Sequence, residues 1–342
     1  MIRSASIQNF RCYRSVEIDD LGRVNVVVGD NGSGKTCLLE ALFLVTGNNA
    51  GNALRCRAWR GLGSEIQIGG AEAYHALWRD LFYKLDDTSK IQISVLGSSN
   101  RALRISYSSR KAAIPIKGEG AIQWIEFAFQ DAKKQWHPTL VSFDKTGLQG
   151  KVAPIGIEAA MFSASGAISP KETADRFSSF SKKNKHRPIV SAMTHEFPNI
   201  VDLSVESDPS VGAMVYATLS TSDQKMPVGL LSSGINRWLA YLIAIQSYPG
   251  GVVMIDEIES GLYYRHFKAM WESVNAVSKT SHTQVFAAVH SGECLDALQT
   301  VMTRDAEDFR LLQVSPGAEQ PSIRVFRGDD FAAAIGGHVE VR

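Results

Sequence analysis

An excess charge of either sign is missing. Lys and Arg number 36 against 35 Asp and Glu in 342 residues, a formal net charge of +1. No global field therefore draws the chain to nucleic acid or to a membrane surface, although local basic patches stay open. Cysteine is scarce, and Cys12, Cys37, Cys56 and Cys294 form no C-x-x-C pair and no zinc spacing. Scattered beside apolar residues, they read as reduced core thiols of a cytoplasmic protein. Met1-Ile2-Arg3-Ser4 lacks the basic-then-apolar pattern of a signal peptide. No uncharged apolar run of about 18 residues is present, so no membrane-spanning helix is expected. Sustained heptads, internal repeats and low-complexity tracts are also lacking, which excludes a long coiled-coil arm. What remains is ordinary. Hydrophobic residues make up 44% and charged residues 21%, which excludes wholesale disorder, and the length suits one large or two ordinary domains.

The chain reads as an α/β core interrupted by different material. Weak alternation over Ile2–Gln8, then Val16-Glu17-Ile18 after an Arg/Tyr turn, predicts a hairpin. Val24–Val28 is a β-branched run suited to a strand buried on both faces. A glycine-rich turn leads to a helix over Lys35 to Thr46, with Gly47 placed to stop it. Residues 55–225 alternate like antiparallel strands at Ile91–Val95, Leu103–Tyr107 and Gln123–Phe129. Ser169-Pro170-Lys171-Glu172 is a helix start, with Ser as N-cap, Pro at N1 and Glu at N3. That helix runs into the basic stretch Lys182–Arg187, read either as a phosphate grip or, more simply, as a solvated helix end. Trp78, Trp124 and Trp136 read as core or interface residues rather than as a base-stacking platform. Beyond residue 226 the buried α/β texture returns. A helix capped by Ser233, a strand at Val252–Ile255, a helix over Tyr263–Val277 and a strand over Gln284–Val289 follow in turn. Residues 1–54 and 226–342 are thus expected to form two halves of one core, with 55–225 as an antiparallel-β plus helical insert.

One motif carries chemistry outright. Gly29-Asp30-Asn31-Gly32-Ser33-Gly34-Lys35-Thr36 fits G-x-x-x-x-G-K-[ST] at every fixed position, between a strand and a helix. Its glycines let successive N–H groups point at phosphate oxygens, and the helix adds its positive end. Lys35 would reach the terminal phosphates of ATP, and the Thr36 hydroxyl would hold Mg²⁺. Val252–Ile255 ends in Asp256 and Glu257, the pattern of a strand-tip Mg²⁺ carboxylate followed by a group that orients or deprotonates water. Glu257 is expected on the other side of the strand line. Ser232-Ser233-Gly234, 22 residues before Asp256, is a serine-rich helix start able to face an anion. His290, 34 residues after Asp256 at a strand tip, suits a γ-phosphate sensor.

These elements, in this order, resemble the ABC-type, AAA-family ATPase heads of the SMC, RecF and OLD families. The resemblance covers the first ~50 and last ~115 residues well, and the middle, of roughly one domain's length, only in texture. Asn9-Phe10-Arg11-Cys12-Tyr13 is similar to the segment preceding their phosphate loop, which adds Arg11 to the nucleotide-binding candidates. Asp256–Leu262 resembles the D-E-I-E-x-G-L stretch of stand-alone OLD-like ATPases, and Val289-His290-Ser291 their T-H-S switch. The resemblance implies a P-loop NTPase head with a mixed-sheet core, cofactors ATP and Mg²⁺, and Glu257 as catalytic base. It also implies a homodimer or higher oligomer in which Ser232, Ser233 and Gly234 meet the γ-phosphate held by a second copy. Ile235 departs from transporter signatures, and Tyr263 stands where OLD-like proteins commonly have His. Gln67, Gln92 and Gln123 remain alternative Q-loop residues. The 52 residues after His290 are too few for a Toprim nuclease domain, so any nuclease is expected on another chain. The ending Gly336–Arg342 looks like that of OLD-like ATPases in phage-defence operons. The expected function is a cytoplasmic ATPase that controls a separate effector, a nuclease or toxin. The alternative is a RecF-type DNA-binding ATPase of repair or recombination, which leaves nucleic acid open as a partner; no membrane partner is expected.

Overall fold

The computed structural model describes residues 1–62, 71–111, 123–144, 147–149, 159–210, 212–302, 305–328 and 330–331. Gln67 and the ending 336–342 lie outside the described residues. The chain opens with β1 (Ile2–Phe10) and β2 (Tyr13–Ile18), the expected antiparallel hairpin, with Phe10 opposite Tyr13. β3 (Val24–Val28) is buried throughout, and α1 (Lys35–Thr46) follows the glycine loop with the boundaries the sequence predicts. Gly47 ends α1, although not in a left-handed conformation. Its φ is −72°, its N–H donates to Phe43 O, and a Cβ there would lie 2.3 Å from Asn52 Nδ2. Backbone handedness does not require the glycine, and a side chain there would displace the Asn52 amide, the far end of a flexible side chain.

α2 (Gly51–Trp59) and α3 (Ala71–Arg79) come next. Then follow β4 (Ile91–Gly97), β5 (Arg101–Lys111), β6 (Gln123–Gln130), β7 (Trp136–Leu140), β8 (Ser142–Asp144), β9 (Gly147–Gln149) and β10 (Ala159–Phe162). The first sheet runs β2-β1-β4-β5-β6-β7. The antiparallel strands after residue 90 therefore extend the opening hairpin, with Ala5 opposite Val95 and Ile7 opposite Ile93. One face buries Ala5, Ile7, Ile93, Val95, Leu103, Ile105 and Phe127, each fully buried large apolar side chain stabilising by about 1.5–3 kcal/mol. Trp78 of α3 is buried edge-on against Phe127, which makes it a core residue. Trp136 lies half-buried at the sheet's edge beneath the Arg104 guanidinium, 4.0 Å from its ring centre.

α4 (Pro170–Ser181) begins as predicted, with Ser169 accepting from Glu172 N–H. It ends before the basic stretch, whose Lys182, Lys183 and Lys185 are exposed in the turn leading to α5 (Arg187–Glu196). β11 (Ile200–Asp208), β12 (Gly212–Leu219) and β13 (Met226–Pro227) form a three-stranded sheet. After α6 (Val228–Leu231) comes α7 (Ser233–Ser247), capped by Ser232 instead of the expected Ser233. β14 (Val252–Ile255) has the expected bounds. The helix expected from Tyr263 starts later. A 3-10 turn occupies Tyr264–His266, and α8 runs over Phe267–Ser281. β15 (Gln284–Ala288), α9 (Gly292–Met302), β16 (Phe309–Ser315) and β17 (Ser322–Arg327) complete the described elements.

The second large sheet is ordered β10-β14-β15-β3-β16-β17, with β14, β15 and β3 parallel. The chain divides into two compact units, one of 1–22, 28–161 and 312–325, the other of 23–27, 162–311 and 326–342. Their boundaries fall inside β3, β10, β16 and β17. The first unit packs α1 against β1, β4 and β5; the second packs α7 against α8 and β14, and α8 against α9. In the second, the buried Trp238 and Trp271 satisfy their N–H groups on Ser273 Oγ and Cys294 O. Among the described residues, no helix is long and apolar enough to cross a membrane.

Candidate functional site

In the first unit the loop between Val28 and α1 turns on Gly29, Gly32 and Gly34, with φ of 142°, 79° and 113°. Two of these positions are closed to other residues by sterics as well. A Cβ on Gly29 would lie 2.0 Å from Val314 O, and one on Gly34 would lie 2.9 Å from Tyr13 Oη and 3.0 Å from Cys12 Sγ. Ser33 N–H donates to Asp30 O at 3.1 Å, tightening the turn, while Asn31 is exposed. Lys35 is only 4% exposed, and its ammonium donates to Gly29 O at 2.6 Å and Asp30 O at 3.0 Å. α1 has no side-chain N-cap and no acidic residue in its first turn, so no carboxylate competes for its positive dipole end, which suits an anion. Ser33 Oγ is buried without a hydrogen-bond partner in the protein. An uncapped helix start, a partnerless buried hydroxyl and an ammonium held over the loop together fit phosphate. Thr36 is half-buried in the first helical turn.

Arg11 sits at the tip of the hairpin with φ 50°. Its Nε lies 2.8 Å from Glu40 Oε2, and Arg60 pairs with the same buried carboxylate through Nε and Nη2, each at 2.8 Å. Arg11 is thus placed by α1. Cys12 and Cys37 are half-buried rather than core thiols, unlike the buried Cys56 and Cys294. The Cys37 thiol is held below its ordinary range, first by a hydrogen bond from Cys12 and then by the Arg60 charge.

In the second unit Asp256 is 5% exposed, and its N–H donates to Phe162 O. The expected placement of Glu257 across the strand line does not hold. β14 ends at Ile255, and Glu257 occupies a turn with left-handed backbone, φ 53°, closed by Ser260 N–H donating to Glu257 O. This turn brings the Glu257 carboxylate to 3.8 Å from His290 Nε2. Glu259, to which the sequence reading gave no role, positions that histidine. Its Oε1 accepts from His290 N–H at 2.6 Å and Ser291 N–H at 2.9 Å. Burial raises the Glu259 pKa above its ordinary 4.5, against the lowering effect of those N–H donors. The signal was its spacing, two residues after Glu257 in the same motif.

Ser232 caps α7 by accepting from Gly234 N–H at 3.2 Å, which leaves Ser233 as the first helical residue. Gly234 packs on the turn after Glu259, since a Cβ there would lie 2.1 Å from Gly261 O. The serine-rich helix start, the acidic pair and His290 thus share one unit. Gln92 lies exposed on β4 and Gln123 opens β6.

The fold and the phosphate loop resemble those of ABC-type ATPases of the AAA class. Two family models cover the chain in tandem, "AAA ATPase domain" over residues 1–147 and "AAA domain, putative AbiEii toxin, Type IV TA system" over 159–296. An "ATP/GTP phosphatase" of Helicobacter pylori is 21% identical, with 88% of each chain covered. The RecF replication and repair protein of Thermomicrobium roseum is 28% identical over 38% of this chain and 33% of its own length. Among solved structures, an SMC head bound to the C-winged helix domain of ScpA has a TM-score of 0.52, with 16% identity over 96% of this chain and 98% of that one. At that identity the likeness establishes the fold.

Proposed function

We propose that this ATPase is a Mg²⁺-dependent nucleotide switch that joins copies of itself and controls a separate effector, a nuclease or toxin, in cytoplasmic antiviral defence. The observation that carries the nucleotide reading is the loop Gly29–Thr36, with the Lys35 ammonium resting on its carbonyls at 2.6 and 3.0 Å. In this reading Lys35 exchanges those carbonyls for phosphate oxygens, and Gly29 to Gly34 supply backbone N–H donors. From the order of motifs along the chain, Thr36 and Asp256 are each assigned to Mg²⁺, which when bound would neutralise charge developing on the phosphates. Glu257 and His290 orient and deprotonate water, with Glu259 holding the His290 backbone. Ser232 to Gly234 serve a second copy's nucleotide. Residues 1–54 and 226–342 form the working ATPase core in this reading, and 55–225 the inserted lobe.

Support for a separate effector comes from two names. One matching family is described with a toxin, and the SMC head of similar fold is bound to part of ScpA. The RecF match favours a second reading, a DNA-binding ATPase of repair or recombination; ATP turnover stimulated by gapped DNA would select it. The nucleotide reading is tested by calorimetric titration of Mg·ATP into Lys35→Ala. Losing a charge-assisted contact worth about 1.5–3 kcal/mol should weaken affinity roughly 10- to 100-fold. Unchanged affinity in the folded variant would sink the assignment.

A further inference from the structure

Cys12 and Cys37 are 25 residues apart in the sequence, yet their sulfurs are in hydrogen-bonding contact. Cys12 lies in the β1–β2 turn and Cys37 in the first turn of α1. Arg60 Nη2 donates to Cys37 Sγ at 3.3 Å while also holding Glu40. On its other side, Cys12 Sγ packs on the phosphate loop, 3.0 Å from where a Gly34 Cβ would be. The neighbouring Tyr13 Oη donates to Gly34 O at 3.1 Å. One sulfur therefore touches the loop's last glycine, and the other rides on the helix whose N-terminus completes the loop. Both residues are half-buried, whereas Cys56 and Cys294 are 0% exposed.

We propose that Cys12 and Cys37 form a modification site, oxidised by hydroperoxides to an intrachain disulfide that weakens nucleotide binding by the adjacent loop. The second half rests on the nucleotide reading above. The Cys37 sulfur attacks the terminal peroxide oxygen, the O–O bond breaks, and the remaining oxygen leaves with the thiol proton, as water from hydrogen peroxide or as the alcohol from an organic hydroperoxide, giving a sulfenic acid on Cys37. Arg60 beside it stabilises negative charge on the reacting sulfur. The Cys12 sulfur then attacks Cys37; the S–S bond forms, the S–O bond breaks, and hydroxyl departs as water with the Cys12 proton. Two thiols lose two electrons to one hydrogen peroxide, yielding one disulfide and two waters. Exchange with a dithiol reverses the bond. Forming the bond draws the two sulfurs together, and that movement shifts Cys12 where it packs on Gly34.

The test treats the reduced full chain with hydrogen peroxide. Non-reducing peptide mapping by mass spectrometry follows the link, and calorimetry follows Mg·ATP affinity before oxidation, after it, and after dithiothreitol. The expected result is a linked Cys12–Cys37 peptide pair with Cys56 and Cys294 still reduced. Affinity should fall about tenfold or more, comparable to losing one charge-assisted hydrogen bond, and return with reductant. Cys12→Ser and Cys37→Ser should bind ATP as the reduced parent does and should not respond to peroxide. Absence of the link, or a link that leaves affinity unchanged, overturns the proposal. Failure of the reduced parent to bind ATP would overturn the nucleotide reading instead, with the peptide map still deciding the cross-link.

Discussion

A glutamate in left-handed backbone is costly, by about 1–2 kcal/mol relative to an ordinary conformation. Glu257 holds that conformation at φ 53°, with its carboxylate 3.8 Å from His290 Nε2. Strain of this kind is kept where the surroundings over-determine it, here by the turn between β14 and Glu259. Glu257→Gln preserves shape and removes the base. It should bind Mg·ATP as the parent does and release phosphate about 10²–10⁴-fold more slowly. Parental turnover in a phosphate-release assay would require another base. Glu259 gives a prediction of a different sort. Its folded pKa is raised, so the protonated form is favoured on folding. Its contribution to stability is therefore fully present below the ordinary value of 4.5 and is lost as pH rises through the raised folded value. Glu259→Gln keeps an amide oxygen for the His290 and Ser291 N–H groups and removes the buried charge. Its melting temperature should exceed the parent's at neutral pH, and the difference should shrink towards pH 4.5. A constant difference across that range would show that the carboxylate's charge is not what matters.

Helices and strands with strong local signals kept their predicted bounds. α1 and β14 did so because a glycine turn or an acidic tip stops an unbroken apolar run. Weaker punctuation misled. Ser232 and Ser233 are both competent caps, and only the fold shows that Ser232 accepts from Gly234. Nothing in sequence between Tyr263 and Phe267 breaks a helix, yet α8 starts only at Phe267. β11 escaped because a register shift between Ile200 and Asp202 breaks its period-two pattern. β7 carries Pro138, which demotes a strand on sequence grounds but is tolerated in the last strand of the sheet. The pairing of β4 with β1 had no local signature, since alternation shows that a strand exists and not which strand it joins. The contact between the serine-rich helix start and the turn at Gly261 was equally invisible, being a steric fit between two loops. It yields a prediction about α7. Gly234→Ala would place a methyl 2.1 Å from Gly261 O, overpacking that costs about 1–3 kcal/mol. A lower melting temperature by calorimetry is expected; an unchanged one would mean the two loops separate without cost.

For the whole molecule, the proposed composite site makes a prediction that one chain alone does not. Lys35→Ala disables one half of each shared site and Ser232→Arg the other. Neither variant should hydrolyse ATP alone. A mixed pair keeps one site with both halves intact, so partial activity should return on mixing. If native mass spectrometry confirms mixed dimers and activity stays absent, the shared site is wrong. The strand that leads into the phosphate loop has one more consequence, which concerns the order of synthesis. Val26 of β3 pairs in parallel with Ala287 of β15, so it must wait for most of the chain to be made. At about 5–20 residues per second that wait is roughly ten to fifty seconds. The strands β1, β2 and β4–β7 belong to the first 140 residues and can pair long before. A nascent chain would thus carry an ordered antiparallel sheet while Val24–Val28, the most apolar strand near its start, is still without its neighbour. Truncated nascent chains should be prone to aggregation through that segment, and nucleotide binding should be among the last properties the growing polypeptide acquires.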